Sequence, residues 1–380
     1  MQAVQSPIIP IVAQLIRDHP GTLSLGQGVV SYGPPPEVYS ALERGMNDLE
    51  NHKYRPVTGL PELIQAFRQK LAIENNIHSA DRSSVMVTAG SNLGFMNAIL
   101  AIADPGDEII LQTPYYFNHE MAVTMASCHP VLVPTNDQHQ LQLDRIAAAI
   151  TRRTRAVVTI SPNNPTGAVY PESDLRAVNE LCAARGIYHI HDEAYEYFTY
   201  GTAQHFSPAS IPGSEAHTLS LFSMSKGYGF ASWRIGFLLA PQGLTAALLK
   251  IQDTLLICAP VPCQFAALGA LDAGKTWALQ GVARVSAARQ AVQQGLVALE
   301  DICRIPQADG AFYFLLDLQT NQDAMAIVQR LVRDFQVAVI PGNAFGAPGC
   351  RLRVSYGALT AETARTATTR LVNGLRAIVS

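Results

Sequence analysis

Charge is scarce in this chain. Asp, Glu, Lys and Arg make up 15% of 380 residues, and 27 basic against 30 acidic side chains leave a net charge of −3. That balance argues against a general nucleic-acid or membrane-surface binder. No uninterrupted apolar run approaches the roughly 18 residues expected of a transmembrane helix. The cysteines (Cys128, Cys182, Cys258, Cys263, Cys303, Cys350) include no CxxC pair, so free thiols in a cytoplasmic protein are the simplest account. The opening stretch MQAVQSPIIPIVAQLI lacks a basic leader, and Pro7 and Pro10 break its apolar run, so it does not read as a signal peptide. Internal repeats and low-complexity segments are missing too. What is plentiful is hydrophobic residues, 48% of the chain, which fits a well-buried globular protein. The length suggests two domains.

The chain opens with an entry arm and a short helix over Ile8–Asp18. Pro36 sits in the first turn of a helix running through Leu42. Leu63, Ile64, Phe67 and Leu71 recur at helical spacing over Leu60–Asn75. From Ser84 short apolar runs alternate with helical patterns. Strands are expected at Val85–Thr88, Glu108–Gln112, Val131–Val133, Ala156–Ile160 and Ile187–His191. Helices are expected from Gly90 to Ala103, over Leu143–Ile150 and over Pro171–Arg185. Such alternation implies an α/β fold, a mainly parallel sheet with helices on both faces in three αβα layers. Ligands of such sheets bind beyond the carboxyl ends of the strands. The polar motifs fall there: Gly90-Ser91-Asn92, Tyr115-Tyr116, Asn163-Asn164 and Asp192. Further on, helices are expected over Leu244–Leu256, from Gln264, over Val282–Leu299 as a link between domains, and over Met325–Phe335. Ile302–Leu318 reads as a strand pair around GAFYFLLDL, and Val337–Ile340 and RLRVSYG read as strands.

The organising stretch is SLFSMSKGYGFASWRIG, Ser220 to Gly236. A strand leads in, a tight loop follows, and a second strand leads out. Ser223 and Ser225 offer hydroxyls, Gly227 and Gly229 let the backbone turn closely, and Arg234 supplies a fixed cation. Hydroxyls and a guanidinium suit a phosphate, and a desolvated amine at Lys226 suits Schiff-base chemistry. Together they suggest a phosphorylated aldehyde, pyridoxal 5′-phosphate (PLP). A loop lysine beside an arginine paired with a carboxylate is the plainer alternative. The turn at Gly90 to Asn92 exposes helix N-terminal amides, an anion site as well as an ordinary N-cap, and a phosphate there would also meet Ser223, Ser225 and Arg234 if the loops converge. Arg351 and Arg353 share one strand face, and one of them could clamp a carboxylate, or both could form an edge-strand charge pair. His189 and His191 invite a metal reading, but no third ligand stands at a typical spacing and no metal is expected.

In order and spacing, GQG, Y-x₄-GLPELI, NNPTG, DEAY, SMSKGYGFASWRIG and RVSYG resemble the class I/II aminotransferases, PLP enzymes of fold type I. The resemblance runs from about Ser24 to Gly357. It implies a homodimer with shared active sites. It implies a large PLP-binding domain over 41–280 and a smaller α+β domain made from both termini, the arm 1–40 and the segment 281–380. It assigns Lys226 to covalent attachment of the cofactor, Asp192 to the pyridine nitrogen, and Tyr195 and Asn164 to the phenolate oxygen. Ser223, Ser225, Arg234 and the amides of Ser91 and Asn92 would hold the phosphate, with Tyr54 reaching it from the neighbouring subunit. Tyr116, with Tyr115 as a close competitor, would stack on the ring. Arg353, in preference to Arg351, would bind the substrate carboxylate, with Gly28 and Asn164 in the same pocket.

The implied reaction moves an amino group from an L-amino acid to a 2-oxo acid in two half-reactions on one site, hence ping-pong kinetics. Lys226 acts as the general base, and Asp192 keeps the ring nitrogen protonated. A neutral substrate side chain is expected, aromatic, methionine-like or glutamine-like. No lysine or arginine lies near Ser91-Asn92, and the Gly28 loop brings Tyr32 but no cation. An aspartate-type aminotransferase with a cation from the other subunit, and a C–S β-lyase on the same scaffold, are the alternatives. A PLP-sensing transcription regulator is disfavoured, because no basic recognition helix precedes the motifs.

Overall fold

The computed structural model describes residues 1–78 and 80–379. In chain order it contains α1 (Ile8–Asp18), β1 (Leu23–Ser24), α2 (Glu37–Met46), α3 (Pro61–Glu74), β2 (Ser83–Thr88), α4 (Gly90–Ile102), β3 (Glu108–Thr113), α5 (Phe117–Met125), β4 (His129–Pro134), α6 (Leu143–Ala149), β5 (Thr154–Ile160), α7 (Glu172–Arg185) and β6 (Tyr188–Asp192). There follow β7 (Thr218–Ser223), α8 (Met224–Gly227), β8 (Gly236–Pro241), α9 (Thr245–Leu255), α10 (Val261–Leu296), β9 (Cys303–Arg304), β10 (Tyr313–Leu318), α11 (Ala324–Phe335), β11 (Val337–Ala338), β12 (Ile340–Pro341), β13 (Arg351–Ser355) and α12 (Ala361–Val379).

Local chemistry sets many of these ends. Pro61 opens α3, where the missing N–H costs nothing. Gly186 ends α7 in the left-handed region at φ 64°. The Asp323 carboxylate accepts the Ala326 N–H at 2.8 Å and caps α11.

Seven strands form the large sheet in the order β2-β8-β7-β6-β5-β3-β4. All its pairings are parallel except those of β8, which runs antiparallel to β2 and β7. The strands read as continuous apolar runs because both faces are covered. Met86, Ile109, Leu111, Val158 and Leu238 pack on α4, α5 and α9, while their neighbours Val85, Val87, Ile110, Val157 and Phe237 face the other side. There Phe67 of α3 stacks on Phe237 at 3.8 Å between centroids, and Leu175 and Val178 of α7 pack with Ile110 and Val157. This is the three-layer αβα arrangement expected from the alternation.

A second, four-stranded antiparallel sheet, β12-β13-β10-β9, has α11 against β12, and α12 packs in turn on α10 and α11. The N-terminal segment packs beside it: β1 and β11 form a separate two-stranded parallel sheet, and α1 packs on α11 and β12. No helix among the described residues is long and apolar enough to cross a membrane.

Four expectations change. The apolar stretch Val337–Ile340 is not one strand but two, because β11 pairs with β1 while β12 pairs with β13. The proposed linker helix Val282–Leu299 is the second half of α10, which joins an earlier helix at Gly274, held at φ 64° and ψ −167°. Helices α5 and α12 form where none was foreseen, and so does α8, a single turn inside the expected loop after β7, capped by Ser223. Finally, β13 lies inside its sheet between β12 and β10, so Arg351 and Arg353 are not an edge pair.

Candidate active site

Where the large sheet meets the smaller one, the strand ends open into a cavity of about 410 Å³. The sheet order explains what lines it. Strands β2, β3, β5, β6 and β7 all deliver their carboxyl ends there, followed by Ser91-Asn92, Tyr116, Asn164, Asp192 and Ser223 respectively. Strand β8 is antiparallel, so its amino end faces the same way and places Arg234 beside them. The smaller sheet contributes Tyr313 from β10 and Arg353 from β13. The loop after β1 contributes Gln27, Gly28 and Val29, and α1 contributes Ile9.

One end of the cavity is an anion cradle. Gly90 at φ 77° turns the chain into α4, and a Cβ at this position would run into the Arg234 guanidinium. A Cβ on Gly236 would meet the Ser91 N–H at 2.8 Å. Both glycines therefore keep the amides at the start of α4 accessible. Arg234 lies 3.5 Å from Ser225 Oγ, and Ser223 Oγ accepts the Ser225 N–H at 3.2 Å, capping α8. Arg234 itself sits at φ 55°, a left-handed conformation uncommon for a non-glycine residue and frequent at functional sites.

Lys226 lies on α8, with its amine hydrogen-bonded to the Gly28 carbonyl. Burial, and the cations Arg353 and Arg234, pull its pKa from 10.5 down to about 8, against a smaller opposing effect of Asp192. Asp192 is 3% exposed. Its Oδ1 accepts the Ala194 N–H at 3.0 Å, and Oδ2 lies 3.1 Å from His119 Nε2. The carboxylate accepts only, so His119 carries a proton on Nε2. Its Nδ1 is buried without a hydrogen-bond partner among the described residues, and its ring stacks on Phe95 at 3.9 Å.

At the far end Arg353 is 2% exposed. Its Nη1 donates to Asn164 Oδ1 at 2.9 Å and its Nη2 to the Gly26 carbonyl at 2.7 Å. Each Nη keeps a second N–H, so donor capacity remains for an incoming acceptor. Asn164 Nδ2 donates to the Tyr195 hydroxyl at 3.3 Å. Arg351, by contrast, turns to Asp317 at 3.3 Å.

Of the tyrosine pair, Tyr116 lines the cavity and meets His119 edge-on, whereas the Tyr115 ring packs against Gly346. Tyr32, expected on the aromatic surface of the pocket, points the other way. Its hydroxyl donates to the Lys226 carbonyl at 3.0 Å, and its ring fills the space left by Gly281. Tyr54 lies outside the cavity, 80% exposed beside Lys53 and Cys258. His189 and His191 both reach Thr159 Oγ1, at 2.7 Å each, and are spent on that buried network.

Sequence reasoning missed His119, Tyr313, Ile9, Phe117 and Val29. His119 was legible in principle, one helical turn beyond Tyr116 on the unforeseen α5. Tyr313 sits among Phe312, Phe314 and Leu315 and reads as core.

The set fits PLP: an anion cradle of helix N-terminal residues, hydroxyls and a guanidinium, a lysine amine of lowered basicity, and a buried carboxylate held by a histidine. The comparisons point the same way. The family model for aminotransferase class I and II matches residues 20–371. The chain is 33% identical to the aromatic aminotransferase ISS1 of Arabidopsis thaliana, over 98% of its own length and 94% of that protein. It is 32% identical to the aspartate/prephenate aminotransferase of Thermus thermophilus, over 90% of this chain and 88% of that one. The crystal structure of an aromatic aminotransferase from Pyrococcus horikoshii superposes with a TM-score of 0.88 at 29% identity, covering 97% of this chain and 99% of the other.

Proposed function

The chain belongs to the class I and II aminotransferases, a PLP-dependent family, and from that premise we propose that it transfers the amino group of a neutral L-amino acid, aromatic or methionine- or glutamine-like, to a 2-oxo acid. In this reading Ser223, Ser225, Arg234 and the amides of Ser91 and Asn92 would hold the cofactor phosphate. Asp192 would hold the ring nitrogen, Tyr195 and Asn164 the ring oxygen, and Tyr116 the ring face. When bound, PLP supplies an electron-accepting ring that takes up negative charge developing at the substrate α-carbon. Arg353 binds the substrate α-carboxylate beside Gly28 and Asn164. The Lys226 amine, neutral in part near pH 8, takes the proton from the α-carbon. The His119 hydrogen bond keeps the Asp192 carboxylate oriented in its buried setting.

We take 41–280 as the cofactor-holding unit, and 1–40 with 281–380 as the unit that brings Gly28 and Arg353. We read the exposed Tyr54 as completing the phosphate site of a second copy, in a homodimer with shared active sites. The cysteines are all free, which suits a cytoplasmic setting.

The observation that carries the substrate class is the use of the cavity's cations. Lys226, Arg234 and Arg353 are the charged donors lining it, and each already has a role. The remaining wall, Ile9, Val29, Phe117, Ile160 and Ala194, is apolar, and the polar groups left there, Gln27 and the Tyr313 hydroxyl, carry no charge. A second substrate carboxylate would be buried there unpaired, which costs about 3 kcal/mol or more, roughly a hundredfold in kcat/KM. The test is kcat/KM for aspartate and glutamate beside phenylalanine, methionine and glutamine. The neutral substrates should lead by that factor, and a clear preference for aspartate would overturn the substrate class while leaving the family untouched.

A further inference from the structure

Tyr313 is a cavity residue, with a polar group, that none of the roles above uses. It stands on β10 opposite Ser355 of β13, fully buried, with its ring 4.5 Å beneath the Arg353 guanidinium. Its hydroxyl lies 2.7 Å from the Tyr195 hydroxyl and has no other hydrogen-bond partner among the described residues. A Cβ on Gly28 would come within 2.7 Å of that hydroxyl, so the glycine leaves room for it.

Donor directions in this chain of groups can be worked out from one end. Arginine only donates, so Arg353 fixes Asn164 with its carbonyl oxygen toward Nη1 and its amide NH₂ toward Tyr195. The Tyr195 oxygen therefore accepts from Asn164. When an anionic oxygen lies in the cavity, the Tyr195 proton turns to it. Tyr313 must then donate to Tyr195, whose oxygen is the single acceptor within its reach.

We propose that Tyr313 is a positioning residue with two separable parts: its hydroxyl directs the Tyr195 proton into the cavity, and its ring supports the Arg353 carboxylate clamp. The inference rests on the placement of Tyr195 and Arg353 given above. Burial raises the pKa of both phenols, that of Tyr313 to about 12, so both keep their protons throughout the working range. The other charged and titratable groups facing the pair are Arg353 of β13, Tyr116 ahead of α5, Asp192 of β6 and Lys226 of α8.

The test uses the loaded enzyme and two variants, with two readouts besides turnover. The first is the pH midpoint of the visible absorbance change of the bound cofactor. The second is the Kd for 3-phenylpropionate, a carboxylate without an amine. Tyr313→Phe keeps the ring and loses the hydroxyl. A weaker donor set stabilises negative charge on the ring oxygen less, so the proton shared there is held to higher pH. The midpoint should rise by about half a unit or more, with Kd within about twofold of the parent. Tyr313→Leu should shift the midpoint similarly and also weaken Kd about tenfold, through loss of the ring beneath the cation. An unchanged midpoint in Tyr313→Phe overturns the hydroxyl role. Equal loss of affinity in both variants overturns the division of labour and leaves only a general packing role. If the parent enzyme shows no cofactor absorbance that titrates, the site assignment itself fails, and this inference with it.

Discussion

Lys226 shows how much of a residue's chemistry comes from its surroundings. An ordinary lysine is an ammonium at neutral pH and neither attacks an aldehyde nor takes a proton. Here desolvation and the neighbouring Arg353 and Arg234 disfavour the charged form, and the pKa falls to about 8. The sign gives a testable profile. Below that pH the amine is charged and unreactive, and reactivity rises through it and levels off above. In the cofactor-free enzyme, acetylation of Lys226, followed by peptide mass spectrometry, should reach half its plateau near pH 8. A short lysine peptide would still be gaining rate at about pH 10. A Lys226 profile matching the peptide would contradict the electrostatics described here.

At the scale of elements, the end of β6 carries Asp192, and the turn after it, which carries Tyr195, is fastened from outside the cavity. Lys70 of α3 forms an ion pair with Glu196, the two side chains being 6% and 9% exposed. Asn75 Nδ2 adds a bond to the same carboxylate at 2.8 Å, and the ammonium lies 4.9 Å over the Phe222 ring. Glu193, also buried, accepts from His205 Nε2 at 2.8 Å and from the Ser207 hydroxyl. Removing one partner of a buried pair leaves the other charge unpaired. Lys70→Met should therefore lose about 3–5 kcal/mol of unfolding free energy. Lys70→Met with Glu196→Gln should recover at least half of that, since the stranded charge is gone. Denaturant titration of the variants measures both, and a loss below about 1 kcal/mol in the single variant would show the pair to be solvated.

On the scale of the molecule, one chain gathers nearly all the residues proposed for the site into one cavity. The lysine, the carboxylate, the cradle and the arginine clamp all lie on one cavity wall or another. Tyr54 is the exception. Its ring is 80% exposed, in a groove with His52 and Pro262 rather than in the cavity. If it serves a second copy, sites become separable by subunit. Tyr54→Ala and Lys226→Ala proteins, each impaired alone, should regain activity when mixed under conditions that exchange subunits. A hybrid dimer carries one site with both native residues, so recovery approaches a quarter of the parent activity for random exchange (one native site among four). No recovery, with hybrids confirmed by native mass spectrometry, would place Tyr54 outside the neighbouring site.

Much of this was readable along the chain because the information is local. A strand buried on both faces needs an unbroken apolar run, a helix start tolerates proline, and a phosphate loop needs small residues and hydroxyls close together. Hence the seven-stranded sheet, the cradle at Gly90 to Asn92 and the Ser223–Arg234 loop were visible as patterns. Side-chain direction was not, because it depends on what packs behind. Tyr115 and Tyr116 are chemically alike, and it is the approach of Gly346 that takes Tyr115 away from the cavity. Tyr32 turns from the pocket because Gly281 of α10, some 250 residues on, leaves a space for its ring. Arg351 and Arg353 share a strand face, and only the position of Asp317 on β10 separates an ion pair from a buried clamp. Tyr313 looked like core until β10 was laid beside β13 and brought its hydroxyl to Tyr195. Composition and spacing settle which groups are available and which elements carry them. Contacts between residues far apart in the chain settle which groups face the cavity, because only the folded packing decides where each side chain finds room and a partner.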